Sequence, residues 1–181
     1  MKVGVIVEGK SDKRLLDEIL PKAVSCDYFI IQSSEKKDQC KILDAKTMKE
    51  RIETCLAKGC KQIYILIDLN TQCSYQRQYD CFVELRQDYN VKIAAHRFAE
   101  VKIIVVEREI ESWMASHWRV STNVTKSDLN RLMQREFNVR KDLSEEEMVQ
   151  RFLTKKLTLN RGNNRSFHYF LTNLERVCYA S

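Results

Sequence analysis

Three stretches of this chain are apolar on both alternating faces, and each runs into acid. KVGVIV (2–7) stops at Glu8, KQIYILID (61–68) closes on Asp68, and VKIIVV (101–106) leads into Glu107, Glu109 and Glu111. A strand apolar on both faces has to be covered on both, which is the condition of a parallel sheet sandwiched between helices. The intervening segments agree. Leu15, Leu16, Ile19 and Leu20 recur at helical spacing, with Ser11 placed to cap that helix and Pro21 to stop it. Tyr28–Gln32 reads as a further short strand and 34–41 as a polar loop. Met48, Ile52, Cys55 and Leu56 mark a helix over 45–58, with Gly59 at its C-terminal cap. Another helix is expected over about 75–89, while 91–100 carries no clear pattern. The alternation predicts an α/β fold: a Rossmann-like parallel sheet of about four strands, with right-handed crossovers. With 4 glycines and 1 proline, the chain is too poor in turn residues for a loop-rich all-β fold.

After Trp118 the pattern changes, and no further strand is evident. Helices are expected over 125–137, 144–154 and 166–178, with Asp142–Glu147 supplying capping chemistry. No Pro-, Gly- or Ser-rich linker separates them from what precedes. The expected organisation is therefore an α/β domain over 1–118 and a helical extension over 119–181 packed on it. The extension carries more Lys and Arg than Asp and Glu, and the whole chain has a net charge of +6. That balance suits a polyanionic partner, and it equally suits a solvated helical surface.

The 7 cysteines include no C-x-x-C pair and the 3 histidines are dispersed, which argues against a structural zinc site. A strand follows Lys2 at once, where a secretory leader would need a long apolar run. Reduced thiols in a cytoplasmic protein are the expectation. No apolar run approaches the ~20 residues needed to span a bilayer, so no membrane association is expected.

In an open parallel sheet the functional crevice lies beyond the carboxyl ends of the strands. Here three strands deliver acids to that edge: Glu8 with Asp12, Asp68, and the 107–111 group. Converging carboxylates repel one another and lose solvation. A hard divalent cation such as Mg²⁺ removes that cost, because it binds carboxylate oxygen together with water and phosphate. The alternative for any single acid is a helix cap or a solvated strand end. A nucleotide-binding phosphate loop is excluded. Gly9-Lys10-Ser11 matches only the end of a Walker A sequence, the leading glycine and its spacer are missing, and Glu8 stands where phosphates need amides.

VEGKSD after the first strand, IDLN after a central strand, and REIESW at 108–113 together carry a family resemblance. The chain resembles Toprim-domain proteins, and most closely the small stand-alone ones related to the overcoming-lysogenization-defect nucleases. The resemblance spans residues 1–118, and in the tail only the segment NRSFHYF (164–170). It implies a nuclease fold in which the glutamate after the first strand and a D-x-D motif bind Mg²⁺ (or Mn²⁺) and carry phosphodiester hydrolysis. Glu8 is the glutamate and Asp68 the first aspartate. Asn70 stands where the second aspartate belongs, which removes one negative charge and offers a neutral carbonyl oxygen. The resemblance also implies DNA or RNA as substrate, and a setting in phage defence with a partner ATPase or other defence protein.

On that reading Glu8, Asp12, Asp68, Asn70 and Glu111 are the metal ligands, and Glu8 also serves as general base. Gly9 lets the chain turn tightly, and Asp12 faces the same crevice one helical turn on. Glu109, two positions from Glu111 on the expected helix, should point roughly opposite to it, and is either a surface carboxylate pairing with Arg108 or a participant in the site. Lys10 is either a contact to phosphate or developing charge, or an exposed lysine at a helix start. Arg161, Arg165 and Ser166 are the nucleic-acid-binding candidates in the tail, and Ser166 is equally a candidate cap for the last helix. Ile110, Trp113, Met114 and Trp118 have core-like spacing, so packing rather than base stacking is expected of them. Phe167, Phe170 and Leu171 form the buried face of the last helix.

Overall fold

The computed structural model describes residues 1–34, 39–69, 81–93, 100–106, 109–120 and 124–179. Four strands, β1 (Lys2–Val7), β2 (Asp27–Gln32), β3 (Gln62–Asp68) and β4 (Glu100–Val106), form one sheet in the order β2-β1-β3-β4, and every pairing is parallel. The register sets Val7 opposite Gln32, Ile6 opposite Ile65, and Asp68 opposite Val106. The carboxyl ends of β1 and β3, the two central strands, therefore lie side by side.

The double-sided apolar pattern produces two cores. Val3, Val5 and Val7 with Tyr64 and Leu66 face α1 (Lys10–Ala23) and the C-terminal helices. Ile6, Ile63, Ile65 and Ile67 face α2 (Ala45–Ala57) and α3 (Phe82–Ile93). Gly4 permits the approach of α2, since a β-carbon there would stand 3.0 Å from the Cys55 sulfur. The expected cap of α2 is present as a full reverse turn. Gly59 takes φ +81°, its N–H donates to Leu56, and that of Cys60 donates to Cys55.

The remaining helices, α4 (Lys126–Phe137), α5 (Glu145–Thr154) and α6 (Arg165–Tyr179), share the first core with the sheet through Leu129, Met133, Met148, Phe152, Phe170 and Leu174. Thr125 with Asp128 and Ser144 with Glu147 form reciprocal capping boxes at α4 and α5. Among the described residues, no helix is long and apolar enough to cross a membrane.

Several local expectations are corrected. Helix α1 runs through Pro21 to Ala23, because a proline two residues from a helix end removes only one hydrogen bond. Within the expected loop over 34–41, a 3₁₀ turn begins at Gln39 and continues to Leu43, where Ile42 and Leu43 are drawn into the second core. The helix expected over about 75–89 is described only from Phe82, and it continues to Ile93. Ile110–Trp118 is a 3₁₀ helix, not an α-helix, and its residues 110–116 are all buried. Not all cysteines are reduced. Cys26 and Cys178 form a disulfide, with α-carbons 5.6 Å apart across 152 residues of chain, because α6 returns its C-terminal end to the start of β2. Cys55 and Cys60 are buried thiols, and burial followed by the proximity of Cys60 pushes Cys55 up to about 12.

Candidate functional site

Beyond the carboxyl edge of the sheet, four carboxylates are removed from solvent together. Glu8 is 6% exposed, Asp12 6%, Asp68 8% and Glu111 5%. Each comes from a different piece of local structure. Glu8 follows β1, and its backbone is held by Ser33, the residue after β2: the Ser33 hydroxyl donates to the Glu8 carbonyl at 3.0 Å, and the Ser33 N–H donates to the Val7 carbonyl at 2.7 Å. Asp68 ends β3, and its backbone N–H donates to Glu8 Oε1 at 3.0 Å. Asp12 lies in the first turn of α1, where its carboxylate accepts the Gly9 N–H at 2.9 Å. Glu111 enters on the first turn of the 3₁₀ helix.

The charges act on one another. Asp12 is raised to about 6, first by burial and then by Glu145 and Glu109, against the lowering effect of the Gly9 bond. Asp68 is raised well above the ordinary carboxylate value, first by burial and then by Glu8, Asp12, Glu111 and Glu109. Glu111 is raised likewise, by burial and then by Asp12, Glu145 and Glu109. Folding thus holds several carboxylates in a place that penalises their charged forms.

The residue at each position differs in part from expectation. Gly9, not Ser11, is the N-cap of α1, and its φ of −128° is extended backbone open to any residue. A β-carbon there would meet Asp12 at an ordinary 3.5 Å, so no tight turn requires the glycine. Glu109 adds its charge to the groups that raise Asp12, Asp68 and Glu111. It is the N-cap residue, with φ −140° and ψ 151°, so the helical angle assumed between positions 109 and 111 does not apply. Asn70, Glu107 and Arg108 lie outside the described residues. Lys10 is exposed, with its ammonium 3.9 Å from Glu146.

The tail candidates have mostly intramolecular partners. Arg161 donates to Glu175 at 2.5 Å and to Thr172 at 3.3 Å. Ser166 is buried, accepts the Trp113 indole N–H at 2.9 Å, and donates to Asn164. Asn164, not Ser166, caps α6, accepting the Phe167 N–H at 3.0 Å. Arg165 is exposed. Trp113 is fully buried and packs on Phe167 and Phe170, with ring centroids 5.0 and 5.6 Å away.

Three contributors were not legible as such. Ser33 gives no signal, since it lies in a polar stretch. Glu145 reads only as part of a helix-capping run, yet its charge reaches Asp12 and Glu111. Lys126 donates to Glu145. Burial works to lower its ammonium, but that bond and the charges of Glu145, Glu109 and Glu111 prevail and raise it.

Among the described residues, no group of three His, Cys, Asp or Glu is gathered tightly enough to hold a metal ion as it stands. The donor chemistry nonetheless fits a hard cation. All four buried groups offer carboxylate oxygen, and a Mg²⁺ or Mn²⁺ ion would offset the burial and repulsion that raise Asp12, Asp68 and Glu111. Comparison with protein-family models, with curated proteins and with solved structures finds no match to this chain.

Proposed function

We propose that this chain is a Toprim-like, metal-dependent nuclease that hydrolyses phosphodiester bonds in DNA or RNA, with Mg²⁺ or Mn²⁺ held by Glu8, Asp12, Asp68 and Glu111. The observation that supports it is the burial of these four carboxylates at the carboxyl edge of a parallel sheet, where Asp68 is raised by burial and by Glu8, Asp12 and Glu111, and Glu111 by burial and by Asp12. Such an arrangement costs stability and calls for a cation. When bound, the ion neutralises charge on the scissile phosphate and acidifies an attacking water. Glu8 is oriented by its bond from the Asp68 N–H and takes the proton from that water. Asp68, Asp12 and Glu111 orient the site and exclude bulk solvent. The family resemblance in VEGKSD and REIESW adds a role in defence against phage, alongside a partner ATPase or other defence protein.

The test is cleavage of labelled single-stranded and duplex DNA and RNA with Mg²⁺, Mn²⁺ or EDTA. Activity should require the metal and be abolished in Glu8→Ala and in Asp68→Ala, with both variants still folded. Cleavage in EDTA, or full activity in both variants, overturns the reading.

A second reading is a nucleic-acid or partner-binding module with a degenerate Toprim site. Asn70 in place of the second acid favours it, as does the looseness of the carboxylate group. It predicts salt-dependent binding without turnover in any metal, and binding unchanged in the Asp68 variant.

A further inference from the structure

The first turn of α5 carries three consecutive acids, and each meets a lysine from a different part of the chain. Glu147 has a plain structural role: it accepts the Ser144 N–H at 2.9 Å in the capping box and pairs with Lys141 at 2.7 Å. The other two face elsewhere. Glu145 accepts from Lys126, the first residue of α4. Glu146 lies 3.9 Å from Lys10, the first residue of α1. Acids in a first turn are favoured by the helix dipole whatever they touch. The dipole does not account for lysines from two other helices converging on them.

The location gives this arrangement its meaning. Lys10 lies two residues before Asp12 in the first turn of α1, α5 packs on α1 and on the 3₁₀ helix that carries Glu111, and α4 packs on that same 3₁₀ helix. The paired turn therefore borders the carboxylate group. Two cations stand at its rim, on separate helices, both already occupied by carboxylates of the same chain. Both pairs are substantially solvent-exposed, and exposed pairs are weak enough for a polyanion to displace.

Resting on the nucleic-acid reading above, we propose that Glu145 and Glu146 are internal surrogates for backbone phosphates. They hold Lys126 and Lys10 at the rim of the site until the phosphates of a bound strand replace them. Lys126 and Lys10 are then phosphate contacts, and the α5 acids set the threshold affinity for substrate.

The test is fluorescence-anisotropy titration of labelled single-stranded and duplex oligonucleotides over a salt series, in EDTA to prevent turnover. The proteins are wild type, E145Q/E146Q, K10Q/K126Q, the combined quadruple variant, and E147Q. Removing the two acids should tighten binding about two- to five-fold each. It should also steepen the dependence of log affinity on log salt by roughly 0.7–0.9 per freed lysine. K10Q/K126Q should bind more weakly, and the acid substitutions should have no effect in its background. E147Q should lower the melting temperature and leave affinity unchanged. Acid variants that bind no tighter overturn the proposal. So does tightening that persists without the lysines, which would mark simple repulsion. If wild type binds neither oligonucleotide at any salt, the nucleic-acid reading itself fails and takes this proposal with it. If wild type binds and the variants match it, only the surrogate role fails.

Discussion

The side chain of Glu8 accepts the backbone N–H of Asp68 at 3.0 Å, so the acid that ends one central strand is fastened to the backbone of the acid that ends the other. On the proposed function a structural and a chemical role meet in this one carboxylate, and two substitutions separate them. Glu8→Gln keeps an acceptor for the Asp68 N–H and removes a charge from the cluster. Glu8→Ala strands a buried donor, at a cost of about 1–3 kcal/mol. The expected outcome is loss of metal-dependent cleavage in both, with Glu8→Gln melting at or above wild type in EDTA and Glu8→Ala several degrees below it. Equal melting temperatures would show that the bond contributes nothing to the fold.

The pH dependence follows from the raised carboxylates. For an acid whose folded value lies above its unfolded one, the native state binds the proton more tightly. Its contribution to stability is therefore greatest in acid and is lost as pH rises through the window between the two values. Asp12, a buried carboxylate, sets such a window between 3.8 and about 6. A displacement of that size corresponds to a loss on the order of 3 kcal/mol. Asp68 and Glu111, also raised chiefly by burial, add to the decline as pH rises. In EDTA the melting temperature should fall as pH climbs from 4 toward 7, and saturating Mg²⁺ should restore it at neutral pH. Asp68→Asn should melt higher than wild type in EDTA at pH 7 while cleaving nothing. Melting curves across pH, with and without metal, decide it, and a lower-melting Asp68→Asn would show that the repulsion is not what limits stability.

The disulfide works at the opposite end of the sheet. Cys26 immediately precedes β2, while the carboxylates lie beyond the ends of β1 and β3. Linking residues 152 apart constrains a long unfolded loop, and bridges typically contribute about 2–4 kcal/mol. Reductant, or the double substitution Cys26→Ser with Cys178→Ser, should lower the melting temperature clearly. Cleavage measured well below the transition should survive, since α6 is still anchored by Phe167, Phe170, Leu171 and Leu174. Loss of cleavage in a folded double variant would link the two ends of the sheet.

What the sequence made legible follows from the range of the physics involved. The strands were legible because apolar residues on both faces leave one kind of sheet, and the caps of α2 and α5 because capping is decided within a few residues. That Glu8, Asp12, Asp68 and Glu111 would lie at one edge was legible because strand ends share an edge in this topology. The failures are tertiary. Glu145 and Lys126 reach the site only because α4 and α5 fold back across it, and no local pattern encodes that. The pairing of Cys26 with Cys178 depends on where α6 ends. The helical angle applied to Glu109 fails because that residue precedes the helix.

Ser166 illustrates the same distinction and supplies the last expectation. Its place near Arg165 suggested phosphate binding or capping, but its hydroxyl accepts the indole N–H of fully buried Trp113, two residues beyond Glu111. Ser166→Ala leaves that donor without its acceptor, a cost of about 1–3 kcal/mol. For a chain of this length, that corresponds to several degrees in melting temperature. Trp113→Phe removes the donor itself, so Ser166→Ala should cost much less in a Trp113→Phe background than alone. The difference is the coupling between the two side chains. Because Asn164 remains as the cap, helix α6 should persist, and the salt dependence of nucleic-acid binding should not change. A shallower salt slope in Ser166→Ala with an unaltered melting temperature would instead return the hydroxyl to phosphate binding.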